Sequence, residues 1–208
     1  MSSDARILDY GMGNVGSLVN LIRYLGLSAT MAGRPEDLKG SAPILIPGNG
    51  HFLTAMNNLK ERELLPALQD ARLRGVPILG ICVGLQLMCQ RSEEGNAEGL
   101  GWLDCEVRKF SGVRPDGSKY PVPHMGWSSL QIQEKHSAAA LLPMPSRFYF
   151  VHSFYVTASA QSSALATYGD QIFSAACGKD NIGGVQFHPE KSHRFGMQFM
   201  ANYFGVEV

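Results

Sequence analysis

The sequence predicts a single α/β domain with a central mixed, mostly parallel sheet flanked by helices. Three observations carry this. Short apolar strands alternate with helical segments through the first half of the chain. One of them, Val76-Pro77-Ile78-Leu79-Gly80-Ile81, is apolar throughout, as strands buried on both faces of a parallel sheet are. The second half then changes to short runs rich in Val, Tyr, Phe and Ile, which bring mixed strand directions.

The elements follow in order. Arg6-Ile7-Leu8-Asp9-Tyr10 reads as the first strand. Leu18, Leu21, Ile22 and Leu25 then recur at helical spacing, and Gly26 stands where a C-terminal cap belongs. Ala42-Pro43-Ile44-Leu45-Ile46 is the next clear strand, ending in Pro47-Gly48-Asn49-Gly50. A helical region from about His51 to Arg74 follows, with a break expected near Pro66. The apolar strand at 76–81 comes next, with a helix behind it. Between Leu103 and Phe187, Phe148-Tyr149-Phe150-Val151 and Ile172-Phe173-Ser174-Ala175-Ala176 stand out as strands. Lys179-Asp180-Asn181 resembles a hairpin turn. An amphipathic helix from about His193 to Phe204 closes the sequence, and all the strands are expected in one sheet.

The 208 residues fit one domain, 1–208, large enough to bury a substantial core. Hydrophobic residues at 45% against 17% charged mark a globular chain. Eighteen Lys plus Arg balance eighteen Asp plus Glu, which leaves no electrostatic reason to expect nucleic acid or a membrane surface as partner. No apolar run approaches the ~20 residues of a membrane span. Met-Ser-Ser-Asp-Ala-Arg lacks the apolar stretch of a signal peptide. Cys82, Cys89, Cys105 and Cys177 are scattered without a CxxC pair, so free thiols and a cytoplasmic location are expected.

The strongest local signal is Gly80-Ile81-Cys82-Val83-Gly84, at the end of a buried strand with a helix beginning behind it. This is the nucleophile-elbow pattern with cysteine in the serine position. Small residues on both sides let neighbouring backbones approach the tight turn, and a helix amino terminus favours thiolate over thiol. Most free cysteines are simply buried, and Cys89, Cys105 and Cys177 keep that reading. The flanking glycines and the strand set Cys82 apart.

A cysteine nucleophile needs a base, and the base needs an orienting group. Gly183-Gly184-Val185-Gln186-Phe187-His188-Pro189-Glu190 offers both, with His188 at the end of an apolar strand and Glu190 two positions on. Alone the triplet would read as a solvated loop; beside a cysteine elbow it completes a candidate triad. His51, His136 and His193 read as surface groups, whereas His124 and His152 are candidates for the pocket wall. The glycines of Pro47-Gly48-Asn49-Gly50-His51-Phe52 let that loop present backbone N–H groups to an oxyanion, with the Val83 N–H as the second donor.

Gly11-Met12-Gly13-Asn14-Val15-Gly16 matches the dinucleotide fingerprint, but the acidic residue wanted about 20 positions on is missing. That neighbourhood is Ala29-Thr30-Met31-Ala32-Gly33. No metal-site spacing appears, and neither metal nor cofactor is expected.

Gly80-Ile81-Cys82-Val83-Gly84-Leu85-Gln86 with Gln186-Phe187-His188-Pro189-Glu190 resembles the class I glutamine amidotransferases. Asp9-Tyr10-Gly11-Met12-Gly13-Asn14, Pro123-His124-Met125-Gly126-Trp127 and Phe150-Val151-His152-Ser153-Phe154 narrow the resemblance to the glutaminase subunits of imidazole glycerol phosphate synthase, in histidine biosynthesis. The resemblance runs from near residue 6 to near residue 204. It implies that fold in one domain, and hydrolysis of L-glutamine to glutamate and ammonia by Cys82, His188 and Glu190. It implies an oxyanion hole from the backbone of Val83 and Asn49. Gln86 and Glu94 would hold the glutamine head group, with backbone from Gly50, Ser153 and Phe154. The implied partner is a (β/α)8-barrel cyclase subunit, in a heterodimer, which receives the ammonia and makes imidazole glycerol phosphate and AICAR. Asn14, Met125 and Trp127 are the expected docking face; the plainer reading makes Met125 and Trp127 core.

Four features depart from the family pattern: Asn49 for a small apolar residue, Phe154 for tyrosine, Ser128 for asparagine, and a longer segment from Ser111 to Tyr120. None touches the triad. Two alternatives stand beside this reading: a glutaminase feeding another synthase, such as one amidating surface-polysaccharide sugars, and a catalytically silent regulatory relative.

Overall fold

The computed structural model describes residues 4–133 and 137–207. Its first half alternates strands and helices as expected, and adds an edge strand at Ser28–Ala32 that the pattern of apolar runs does not mark. β1 (Asp4–Leu8) turns through Gly11 and Gly13, both at positive φ, into α1 (Val15–Tyr24). The Asn14 side chain caps that helix by accepting from the Ser17 N–H at 3.4 Å, and Gly26 at φ 73 ends it. Leu18 and Ile22, one turn apart, bury its inner face. β2 (Ser28–Ala32), β3 (Ile44–Ile46), α2 (Phe52–Glu61), α3 (Leu64–Leu73), β4 (Ile78–Ile81) and α4 (Val83–Leu87) complete this half.

Several boundaries differ from the expectation, among them the starts of β3 at Ile44 rather than Ala42 and of β4 at Ile78 rather than Val76. The first strand ends at Leu8, because the turn that follows draws Tyr10 inward, where its hydroxyl donates to the Pro47 carbonyl at 2.6 Å. The long helical region breaks near Pro66 as expected, but the break is made by Glu63, which takes a left-handed φ of 55, and not by the proline. Pro66 lies in the first turn of α3, where a helix has no partner for an N–H in any case.

The second half holds β5 (Arg91–Ser92), β6 (Ala97–Glu98), β7 (Glu106–Lys109), β8 (His124–Ser129), β9 (Gln131–Ile132), β10 (Arg147–His152), β11 (Phe154–Val156), β12 (Ser162–Tyr168), β13 (Gln171–Lys179), β14 (Ile182–Val185) and α5 (His193–Phe204). The central sheet has eight strands in the order β2-β1-β3-β4-β14-β13-β12-β9. Neighbours from β2 to β14 pair parallel, and those from β14 to β9 pair antiparallel. The hairpin turn expected at Lys179-Asp180-Asn181 narrows to Asp180, at φ 54, and Asn181, with Lys179 ending β13 opposite Ile182.

The expectation of one sheet is corrected. β8 pairs with β10 in a sheet of their own, and β11-β7-β5-β6 forms another. Sequence runs of Val, Tyr and Phe identify strands but not their partners, which are set by where the chain turns. These small sheets matter because residues around the β10–β11 junction wall the cavity beside Cys82.

Inside the fold, Phe148 stacks on Phe187 at 3.8 Å, and Phe199 of α5 meets both rings edge-on. This aromatic core fixes the strand end that carries His188.

Candidate active site

Cys82 occupies a sharp turn between β4 and α4, at φ 55 and ψ −109. A side chain in so sparsely populated a region costs of order 1–3 kcal/mol and persists only where its surroundings enforce it. Here the Cys82 N–H donates to Val185 at 2.8 Å, and β4 is held between β3 and β14. The glycines answer to close packing. A Cβ on Gly80 would lie 2.5 Å from the Gly84 carbonyl carbon, and one on Gly84 would collide with the Ile46 carbonyl oxygen. A Cβ on Gly48 would lie 2.7 Å from the Gly84 nitrogen, so the 47–50 loop packs directly on the elbow.

β14 delivers the second group. The His188 N–H donates to Tyr149 at 3.0 Å, and the Ser192 hydroxyl both donates to the His188 carbonyl at 2.7 Å and accepts from the Tyr149 N–H at 3.0 Å. Pro189 opens a short 3-10 turn that brings Glu190 back onto the ring. His188 Nδ1 and Glu190 Oε1 are 2.8 Å apart, with both side chains almost fully buried. Burial opposes charge on His188, but the Cys82 sulfur and the Glu190 carboxylate outweigh it and raise the imidazole to about 10. The other ring nitrogen, Nε2, faces the Cys82 sulfur, whose hydrogen bond and charge help to raise the ring, while Glu190 Oε2 has no hydrogen-bond partner among the described residues. The ring is thus anchored at one nitrogen and available at the other, as proton transfer to and from a nearby sulfur requires.

A cavity of about 340 Å³ opens on this pair. Every substrate or oxyanion residue expected from the sequence lines it: Asn49, Gly50, Val83, Gln86, Glu94, Ser153 and Phe154, together with Cys82 and His188. Glu190 lies behind His188, outside the wall. Val83 is the first residue of α4, where an N–H has no intrahelical partner. Asn49 has a further bond: its Oδ1 accepts from the Gly13 N–H at 3.1 Å, tying the 47–50 loop to the loop before α1. That bond also occupies an N–H of the glycine run that mimics a dinucleotide fingerprint. Glu94 Oε2 accepts from the Phe52 N–H at 2.7 Å, at the start of α2.

Two histidines and two glutamines form a network that the sequence only hinted at. The Phe154 carbonyl lies 2.8 Å from His152 Nδ1, so that nitrogen carries the proton. His152 Nε2 must then accept, from His124 Nδ1 at 3.1 Å, and His124 Nε2 accepts from the Ser128 hydroxyl at 3.0 Å. Burial lowers His124 to about 4, and burial with His124 alongside lowers His152 to about 3, so both rings are neutral. His152 lines the cavity and His124 stands behind it. Gln186 belongs to the motif before His188, yet no role for it follows from the sequence. The signal was available: a glutamine between Val185 and Phe187 in an apolar strand end must find buried partners.

On the outer side, Met125 is 61% exposed, so it is not core. Trp127 is half-buried and stacks on exposed His193 at 5.7 Å with Arg147 5.8 Å away. Asn14 is exposed at the start of α1 and borders a small void that touches His188 and Glu190. His51 is exposed, in line with the sequence; His136 lies outside the described residues. Cys89 and Cys105 bring their sulfurs to 3.2 Å in the core, and Cys105 and burial hold the Cys177 thiol well above its ordinary value. Among the described residues no group of His, Cys, Asp and Glu could hold a metal ion, and no helix is long and apolar enough to cross a membrane.

The family model for class I glutamine amidotransferases matches residues 6–208. A relative named imidazole glycerol phosphate synthase subunit HisH 2, from Methanococcus maripaludis, is 42% identical, covering 95% of this chain and 96% of that protein. Its namesake from Pseudomonas aeruginosa is 39% identical over 95% and 96%. Subunit HisH from Geobacillus thermodenitrificans is 41% identical over 96% and 94%. Among solved structures, PurLQS from Thermotoga maritima matches with a TM-score of 0.72 at 15% identity, covering 99% of both chains. The glutaminase domain of Trypanosoma brucei CTPS, with bound acivicin, matches at 0.64 and 18% over 99% and 95%. These two likenesses concern the fold alone.

Proposed function

The chain belongs to the class I glutamine amidotransferases, and from that premise we propose that it is the glutaminase subunit of imidazole glycerol phosphate synthase, working through Cys82, His188 and Glu190. The Cys82 sulfur attacks the side-chain amide carbon of L-glutamine. The N–H groups of Val83 and Asn49 hold the oxyanion, and His188 passes a proton to the nitrogen, which leaves as ammonia. Water, its proton taken by His188, adds to the glutamyl thioester. The C–S bond then breaks with its electron pair returning to sulfur, and glutamate departs. Glu190 keeps the imidazole oriented and offsets its charge.

Gln86 and Glu94 receive the substrate's ammonium group, and the backbone of Gly50, Ser153 and Phe154 completes the head-group site. A (β/α)8-barrel cyclase subunit docks on the face of Asn14, Met125 and Trp127, forming a heterodimer in the cytoplasm and taking up the ammonia. The exposure of Met125 and the position of Asn14 beside the His188–Glu190 pair support that face.

The observation that carries the reading is a single cavity bounded by Cys82, His188 and every anticipated glutamine contact. The test is glutamine hydrolysis by the protein alone and with an imidazole glycerol phosphate cyclase subunit, wild type beside Cys82→Ala. Stimulation by the cyclase, abolished by the substitution, is expected. Full activity in Cys82→Ala removes the nucleophile; stimulation by no cyclase redirects the ammonia to another acceptor.

A further inference from the structure

The Phe154 carbonyl oxygen can only accept, and this fixes the direction of each amide between it and Cys82. Gln86 meets that oxygen at 2.9 Å and so must present its NH2 group there. The same nitrogen lies 3.2 Å from Gln186, whose facing atom must be the acceptor Oε1. The other end of Gln186 is then its own NH2, 3.6 Å from the Cys82 sulfur. Reversing either amide would set donor against donor or acceptor against acceptor.

Gln186 is fully buried, and its N–H is tied to the Ala175 carbonyl at 2.9 Å. A buried polar side chain in an apolar strand end costs free energy unless its hydrogen bonds are made. Here they run to two groups of the cavity, Gln86 and Cys82.

We propose that Gln186 is a positioning residue for the glutaminase reaction, donating an N–H to the Cys82 sulfur while locking Gln86 with its carbonyl toward the substrate. This rests on the reading of Cys82 as the nucleophile. A donor on sulfur restrains its rotamer and offsets the negative charge it carries when the C–S bond breaks in the final step. Because both protons of the Gln86 amide are engaged, only its acceptor oxygen is left to face the cavity. Gln186 thus acts on the nucleophile and on the head-group site through opposite ends of one amide.

The two ends can be separated. Gln186→Glu keeps an acceptor for Gln86 but removes the donor from the sulfur; Gln186→Met keeps the volume and removes both. Glutamine hydrolysis and the Cys82-dependent rate of alkylation by iodoacetamide are measured on the full chain, with Cys82→Ala as background and thermal melting to confirm folding. In Gln186→Glu, kcat and the alkylation rate are expected to fall roughly tenfold, with KM within about twofold of wild type. In Gln186→Met, KM is expected to rise as well. A filler role predicts no such split between kcat and KM. Wild-type alkylation in a folded variant overturns the proposal, and Gln186→Met decides it if Gln186→Glu does not fold. Full activity in Cys82→Ala overturns the nucleophile instead, a result the Gln186 variants cannot mimic.

Discussion

The side-chain oxygen of Asn49 accepts from the backbone N–H of Gly13 at 3.1 Å, joining the loop that faces Cys82 to the loop that starts α1. A small apolar residue at position 49 would have no such bond. The departure that stood out in the sequence therefore has a structural consequence: the 47–50 loop, proposed to hold the oxyanion, is tied from outside the cavity, by residues adjoining the proposed docking face.

Removing that tether is expected to reduce catalysis without touching the triad. One hydrogen bond is worth about 1 kcal/mol net, so Asn49→Ala should lower kcat about fivefold. Steady-state kinetics with glutamine would check this. An unchanged kcat would mean that the loop holds its position by packing on Gly84 alone.

The charge on His188 depends on its two neighbours. Its value near 10 stands above the ordinary 6.5, so the stability it contributes is fully present below 6.5 and is lost as pH rises through 10. The ring is expected to remain protonated at pH 8, as read from its imidazole nitrogen shifts by NMR. Cys82→Ala removes the larger of the two supports and should lower the titration midpoint. Glu190→Gln should lower it too, with a loss in kcat on the order of 10² or more. A neutral ring at pH 8 in the wild type would contradict this arrangement.

Much of this was legible in the sequence, because the informative residues answer to local constraints. Gly80 and Gly84 announce a turn packed against β3, and the apolar run before Cys82 announces a buried strand. Gly26 marks a helix end at positive φ. What was missed is nonlocal. The break at Glu63 is a left-handed residue that any sequence pattern hides, while Pro66 drew attention as a helix breaker and proved harmless at its position. The pairing of β8 with β10 joins segments some twenty residues apart, and Cys89 meets Cys105 across the core. The His124–His152 and Gln86–Gln186 contacts depend on the same folding back of the chain, so spacing alone could suggest the residues but not the bonds.

The elbow glycines give a sharp stability prediction with a built-in control. A methyl on Gly84 meets the Ile46 carbonyl oxygen, which belongs to a strand that cannot move away freely. Gly84→Ala should destabilise the fold by about 3 kcal/mol or more. Gly16 has nothing within 4 Å of where its Cβ would lie and sits exposed in α1. Gly16→Ala should therefore stabilise by roughly 0.5–1 kcal/mol through helix propensity. Urea titrations of the two variants should move their midpoints in opposite directions; equal shifts would show that the elbow tolerates a side chain.

The buried histidine pair makes the fold acid-sensitive in a window set by its own titration. His124 and His152 titrate near 4 and near 3 in the fold, against an ordinary 6.5, because burial disfavours their charged forms. Between those values the unfolded chain binds more protons than the folded one, so stability rises with pH across the window. The contribution is complete above 6.5 and drains away as pH falls toward 3. Protonating either ring also breaks the relay, since His152 Nε2 and His124 Nε2 are both acceptors. Denaturation midpoints measured from pH 7 to pH 4 should fall steadily for the wild type. His124→Asn, with one ring removed, should show a shallower slope over the same range. A variant slope equal to that of the wild type would assign the acid loss to the carboxylates and leave the pair no part in it.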